Sequence, residues 1–280
     1  MQRHPEWAIY AVPPGCPAFA TIVAHHLAKE GASSVIWDRP LALFLDVDGT
    51  LLDISRRPED VIVPDDLRPM LDQAWHALGG AMALVSGRAI RDLDRLFAPL
   101  RLPAAGQHGT EIRLEPGGPV RTLPASGVGQ ALREAAALLA AAHPGVEIED
   151  KGMTLAVHYR AAPEAGPALG GALSQLVMRA GDGLALCRGK MVFELRDARI
   201  TKASAVEAFL QRPPFAGRLP VFVGDDVTDE DGFEAVERHG GIAMPVGEAR
   251  TSERRSTFAT PADVREWLAT LAPPMVSEAS

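Results

Sequence analysis

The 280-residue sequence predicts an α/β protein, a split parallel-sheet core that carries an inserted α+β lid. Three observations predict it. Short apolar runs alternate with amphipathic segments from residue 41 to about residue 110. That alternation then gives way to hairpin-like pairs of strands. From about residue 199 it resumes.

Taken in order, "LALFLDV" (41–47) is a continuous apolar run and reads as a strand buried on both faces. "PDDLRPMLDQAWHAL" follows with apolar residues at helical spacing. "GAMALVSGR" is a second strand closed by Ser86-Gly87, "AIRDLDRLFAPL" a helix, and "LPAAGQHG" a third strand that ends in polar residues. "TEIRLEPGGPVRTL" reads as a hairpin around Pro116-Gly117-Gly118-Pro119 and opens a βαββαββ insert with a mostly antiparallel sheet. The helix "GQALREAAALLAAAH" comes next, then two strands in "GVEIEDKGMTLAVHYR" turning at Lys151-Gly152. The helix "PALGGALSQLVMRA" precedes a hairpin, "LALCRGKMVFEL", that turns at Gly189-Lys190. The first architecture returns with helix "TKASAVEAFLQ", strand "RLPVFVGDD", helix "DEDGFEAVERH" and strand "GGIAMPVG". The expected division is an extension of unassigned role over 1–38, core over 39–120, lid over 121–196, and core again over 197–280. Two chain crossings, near 110–122 and 196–200, would hinge the lid. Within the extension, "ATIVAHHLAKEGA" reads as one short helix, with His25-His26 structural.

Composition excludes several function classes. Apolar residues at 47% and charged ones at 23% are an ordinary globular balance, so a full core is expected. A net charge of −8 without a Lys/Arg run argues against nucleic acid as partner. No apolar run approaches the roughly 20 residues of a membrane span, and the first residues lack a signal-peptide pattern. Cys16 and Cys187 have no CxxC spacing, and read as two reduced thiols in a cytoplasmic protein.

The chemistry is expected where the parallel strands end, because ligands of open parallel sheets bind beyond the carboxyl ends. Asp46 and Asp48 end the first strand, with Gly49-Thr50 at once after them. Ser86-Gly87-Arg88 ends the second, Lys202 opens a later helix, and Gly224, Asp225, Asp226 and Asp229 follow another strand. Each piece has a plain alternative: a turn or helix cap for Asp-x-Asp, a solvated helix residue for Lys202, an acidic helix start for "GDDVTDED". Together, in this order, they point to one shared site. Clustered carboxylates repel unless a cation or proton holds them, and Mg²⁺ suits an all-oxygen site that also meets phosphate.

"DVDGT", "SGR", a lysine and "GDD" in this order resemble the phosphotransferases of the haloacid dehalogenase superfamily, which implies a Rossmann-like parallel-sheet core with an inserted α+β cap. More narrowly, "LFLDVDGTLLDI", "ALVSGR", "GQHGTE", "EDKGMTLAVHYR", "GKMVFELR" and "VFVGDDVTDEDGF" are similar to trehalose-6-phosphate phosphatases over about residues 40–270. The resemblance implies that Asp46 attacks phosphorus and forms an aspartyl-phosphate, and that Asp48 serves as acid and then base. It further implies Mg²⁺ on the Asp46 side chain, the Asp48 carbonyl and Asp225, with Asp226 and Asp229 as outer or weaker ligands. Gly49, Thr50, Ser86, Gly87 and Lys202 would cradle the phosphate. Glu149, Lys151, Arg160 and Glu194 of the lid, with Arg88, Gln107 and His108 of the core, would bind the sugar. The implied reaction, in trehalose biosynthesis, releases trehalose and phosphate from trehalose 6-phosphate in the cytoplasm, by a chain expected to be monomeric. A related sugar phosphate, such as sucrose phosphate, is the alternative substrate. A catalytically dead module bound to a trehalose-6-phosphate synthase is the alternative role, and that synthase is the protein partner the resemblance suggests.

Overall fold

Strand β1 (Leu41–Leu45) is buried along its whole length, as a central parallel strand covered on both faces must be. The structure is a computed structural model that describes residues 40–55, 60–122, 127–181, 183–189, 191–247 and 255–271. The helix expected at 20–32, Cys16 and Lys190 lie outside the described residues. After β1 come α1 (Leu67–Ala77), β2 (Met82–Val85), α2 (Ile90–Leu96), β3 (Ala104–Gly106), β4 (Glu111–Arg113) and β5 (Arg121–Thr122). The next group is α3 (Gln130–Ala141), β6 (Glu147–Asp150), β7 (Leu155–His158), α4 (Gly166–Ala180), β8 (Leu184–Gly189) and β9 (Val192–Asp197). The chain then runs through α5 (Lys202–Leu210), β10 (Leu219–Gly224), α6 (Glu230–Arg238), β11 (Ile242–Pro245) and α7 (Pro261–Leu271).

The core sheet has seven strands in the order β11-β10-β1-β2-β3-β4-β5, parallel from β11 to β3 and antiparallel beyond. Alternation along β1 divides the core in two. Leu41, Leu43 and Leu45 pack with side chains of α1, α2 and α7 on one face. Ala42 and Phe44 pack with α5 and α6 on the other. Burying a side chain such as Phe44 or Leu43 on these faces contributes about 1.5–3 kcal/mol each, which is what holds the layers together.

The predicted hairpin at 110–123 forms, but its strands extend the core sheet instead of opening the insert: Ala105 pairs with Ile112 and Ile112 with Arg121. Arg113 explains the preference. Its buried guanidinium donates to the Leu102 carbonyl at 2.7 and 2.9 Å and pairs with Asp94 at 2.7 Å, so β4 is tied to core groups on both sides. The first crossing to the insert therefore lies beyond Thr122, later than the expected hinge. The insert itself is the all-antiparallel sheet β6-β7-β9-β8. Ile148, Val157, Phe193 and their neighbours form its apolar face under α3 and α4. Helix α7 was not expected from the sequence; it adds Val264, Trp267, Leu268 and Leu271 to the core.

Candidate active site

Parallel pairing of β1 with β10 brings residues 46 and 225 together across 179 positions of sequence. Leu45 pairs with Val223, and the Asp46 N–H donates to the Val223 carbonyl at 2.9 Å, so both strands end at one level. Beyond that level carboxylate oxygens of Asp46, Asp225 and Asp229 lie within 4.8 Å of one another. Lys202, at the first position of α5 and almost fully buried, donates to Asp46 at 2.7 Å and to Asp229 at 2.5 Å. One ammonium cannot neutralise three carboxylates. Burial pushes the Asp46 carboxyl well above the usual carboxylate range; Lys202 opposes that, and Asp229 and Asp225 add to it. Burial would strip the proton from Lys202, but Asp229 and Asp46 outweigh it and hold that ammonium charged to well above the ordinary lysine range. An excess of negative charge and an all-oxygen donor set fit a hard divalent cation such as Mg²⁺.

Asp229 does more than the sequence suggested. It is fully buried, and its second oxygen accepts the N–H groups of Asp225 and Asp226 at 3.0 Å each, which fixes the loop after β10. Asp226 points elsewhere, capping the turn at Val227 with a 2.7 Å bond. The "DVTD" spacing held the signal, since Asp226 and Asp229 form a capping box. Gly49 belongs to the same corner. Its φ of +84° and a Cβ position 2.1 Å from an Asp225 oxygen leave no room for a side chain. Thr50 is buried beside it, and its hydroxyl has no hydrogen-bond partner in the protein, which suits a donor to a bound anion.

Strand β2 ends on the other side of β1 and delivers the Ser86-Gly87-Arg88 loop. Arg88 grips Asp48 in a fork, Nε to one oxygen at 2.6 Å and Nη2 to the other at 2.7 Å. Ser86 Oγ accepts the Arg88 N–H at 3.1 Å, and so braces that arginine. At Gly87 a Cβ would lie 2.7 Å from His108 Nε2, so the missing side chain is what admits the imidazole. Gln107 and His108 follow β3 with positive φ of 47° and 56°. The Gln107 amide is turned away to Glu111 (2.7 Å), which also receives the Ile90 N–H at the start of α2.

The insert presents its polar face to these loops. In register, Glu149, Ala156, Glu194 and Cys187 form one row across β6, β7, β9 and β8, with small Ala156 between the two acids. Glu194 pairs with His108 of the core, accepts from Thr154 at 2.9 Å and stands 3.5 Å from Lys151. Burial would raise the Glu194 pKa, but His108 and Lys151 together hold its carboxyl far below the usual range. Lys151 also donates to the Gly87 carbonyl at 3.2 Å. Burial works against its charge, and Glu194 and Glu149 more than restore it. Glu149 accepts a hydrogen bond from His158 Nε2 at 3.1 Å, and Arg160 donates to the Ser55 carbonyl in the loop after β1. Thus Glu149, Lys151 and Glu194 form one cluster over Gly87 and His108. Arg160 reaches the core at a separate point, and Gln107 is directed into the β4 turn. Thr154 and Glu111 were not singled out in the sequence, although they stand inside "EDKGMTLAVHYR" and "GQHGTE"; their contacts appear only in the fold. A cavity of about 310 Å³ lined by Trp75, Pro103, Pro213 and Pro214 lies at the opposite, amino-terminal end of the strands, away from every carboxylate described here.

The fold and the strand ends define the class: an α/β fold with carboxylates beyond a parallel sheet, a fold shared with BT1666 from Bacteroides thetaiotaomicron, described among phosphatases of the haloalkanoate (HAD) enzyme superfamily, with a TM-score of 0.52 at 20% identity over 82% of this chain and 93% of that one. Residues 44–264 match the family described as trehalose-phosphatase. The chain is 46% identical over 206 residues to a probable trehalose-phosphate phosphatase of Sinorhizobium fredii, covering 74% of this chain and 77% of that one. It is 40% identical over 227 residues to the trehalose-6-phosphate phosphatase of Escherichia coli, covering 81% and 85%. In structure it resembles the C-terminal domain of C. albicans trehalose-6-phosphate phosphatase, with a TM-score of 0.73 at 21% identity over 94% of this chain and 98% of that one. The chain belongs to the trehalose-phosphatase family. Among the described residues no helix is long and apolar enough to cross a membrane.

Proposed function

We propose that the protein is a Mg²⁺-dependent phosphatase that hydrolyses trehalose 6-phosphate to trehalose and inorganic phosphate, in cytoplasmic trehalose biosynthesis. The observation that carries this reading is the convergence of Asp46, Asp225, Asp229 and Lys202 at the ends of two paired parallel strands. The names of the two relatives supply the sugar. An Asp46 oxygen attacks phosphorus as the bond from phosphorus to the sugar oxygen breaks, and Asp48 gives that leaving oxygen its proton. Asp48 then takes a proton from water, whose oxygen attacks phosphorus and frees the Asp46 carboxylate with phosphate. Arg88 aims Asp48 before substrate arrives. Thr50, Ser86 and Lys202 meet the phosphate oxygens, and Gly49 and Gly87 keep backbone close to them. Mg²⁺, held by Asp46, Asp225 and the Asp48 carbonyl, would supply positive charge where the phosphoryl group transfers. Asp229 and Asp226 shape the metal loop.

In this reading the cap, which follows β5 and ends with β9, closes on the core and selects the sugar with Glu149, Lys151, Arg160 and Glu194, alongside Arg88 and His108, while Gln107 reaches the sugar only by releasing Glu111. Phosphate release is the test, measured on trehalose 6-phosphate, sucrose 6-phosphate, glucose 6-phosphate and p-nitrophenyl phosphate, each with and without a chelator. Trehalose 6-phosphate is expected to be strongly preferred and chelation to stop turnover. Equal rates on all four substrates, or full activity after exhaustive chelation, would overturn it.

A further inference from the structure

Lys151 sits at the tip of the β6–β7 turn, where its ammonium must be held out toward the core. The turn fixes itself only in part: Asp150 accepts the Gly152 N–H at 2.8 Å, and the Lys151 N–H donates to Thr154 at 3.1 Å. The rest comes from Arg133 in the first turn of α3. Its Nε donates to the Val128 carbonyl at 2.9 Å, its Nη2 donates to the Gly152 carbonyl, and its Nη1 pairs with the Asp150 carboxylate. One guanidinium thus grips the residues on both sides of Lys151 and ties them to the start of a helix. The Arg133 side chain is 19% exposed and that of Asp150 53%, so the ion pair itself is open to water and the hold on the turn rests as much on the two carbonyl contacts. Asp150 carries a depressed pKa, through the Gly152 N–H first and Arg133 next.

We infer that Arg133 is a positioning residue for sugar recognition, acting on substrate only through the Asp150–Lys151–Gly152 turn. The inference rests on the proposed role of Lys151 at the sugar. Lysine cannot copy this function, because three donors in one plane serve two carbonyls and a carboxylate at fixed angles. The fork spans α3 and the turn, so its loss frees the tip without removing any group that faces phosphate.

The test is a double-mutant cycle of Arg133→Ala and Lys151→Ala, with kcat and KM measured on trehalose 6-phosphate and on p-nitrophenyl phosphate, alongside thermal melts. Arg133→Ala is expected to lower kcat/KM on the sugar substrate about tenfold, mainly through KM, and to add little once Lys151 is gone. The loss should be confined to the sugar substrate. Arg133→Lys should behave like Arg133→Ala, and replaces it in the cycle if the alanine variant does not fold. If Lys151→Ala costs activity and Arg133→Ala does not, the inference alone fails. If the Arg133 loss persists undiminished in the Lys151→Ala background, or falls equally on both substrates, Arg133 acts elsewhere and the inference is overturned. If Lys151→Ala leaves trehalose 6-phosphate hydrolysis intact, the reading of the cap fails first and takes the inference with it.

Discussion

Asp46 and Asp229 share the ammonium of Lys202, yet losing each should affect the protein differently. Asp46 is a burdened acid: burial and its two carboxylate neighbours already push its pKa up, so an amide in its place relieves repulsion. Asp46→Asn is expected to melt within a few degrees of the wild type and to show no turnover. Asp229 is a hub that receives Lys202 and two loop N–H groups in a fully buried position. Asp229→Ala leaves all three donors without that acceptor, a loss of about 3–5 kcal/mol, or roughly 10 °C in melting temperature. Thermal melts of both variants decide it, and equal destabilisation would contradict the assignment. At this scale the sequence was informative where spacing alone carries the chemistry. Asp46, Asp48, Lys202 and Asp225 all stand at predicted element ends. The weight of Asp229 was not legible because it depends on burial, which no local pattern reports.

Elements were legible in proportion to how local their causes are. The five parallel strands are apolar runs with polar ends, and their helices show 3.6-residue spacing. The destination of β4 and β5 was not legible, because a hairpin sequence does not say which sheet it joins; the buried Arg113 contacts decide that. Helix α7 departs from the expectation, although its start is written locally in "TPAD". The Thr260 hydroxyl accepts the Asp263 N–H at 3.3 Å and the Asp263 carboxylate accepts the Thr260 N–H at 2.8 Å, with Pro261 opening the helix. This cap holds a helix whose Arg265 donates to the Leu51 carbonyl at 2.8 Å, beneath the loop that follows β1. Removing it with Thr260→Ala should cost about 1 kcal/mol and lower the melting temperature by roughly 3 °C. Turnover well below the melt should not change. A scanning-calorimetry trace indistinguishable from the wild type would show that Thr260 does not cap α7.

Across the whole molecule, cap and core meet through polar groups. Glu194 pairs with His108, Lys151 donates to Gly87, Arg160 to Ser55, and Arg196 stands 3.5 Å from Asp231. The motifs that carry Glu149, Lys151 and Glu194 were legible by resemblance. That they would satisfy one another before any sugar arrives was not, because it depends on how the two sheets stack. Glu194 gives this contact a pH dependence. Burial favours its neutral form, but His108 and Lys151 dominate and hold its pKa far below its ordinary value of 4.5. A carboxyl depressed on folding adds stability that is fully present above the unfolded value and lost as pH falls through the folded one. Glu194→Gln keeps the shape and an acceptor for Thr154 but gives up the charge. The stability difference between wild type and Glu194→Gln should therefore be largest above about pH 5 and shrink steadily as the solution is acidified below about pH 4. Denaturant melts of both proteins in parallel from pH 6 down to pH 3 measure it. A difference that stays constant over that range would mean the Glu194 charge does not tie the cap to the core.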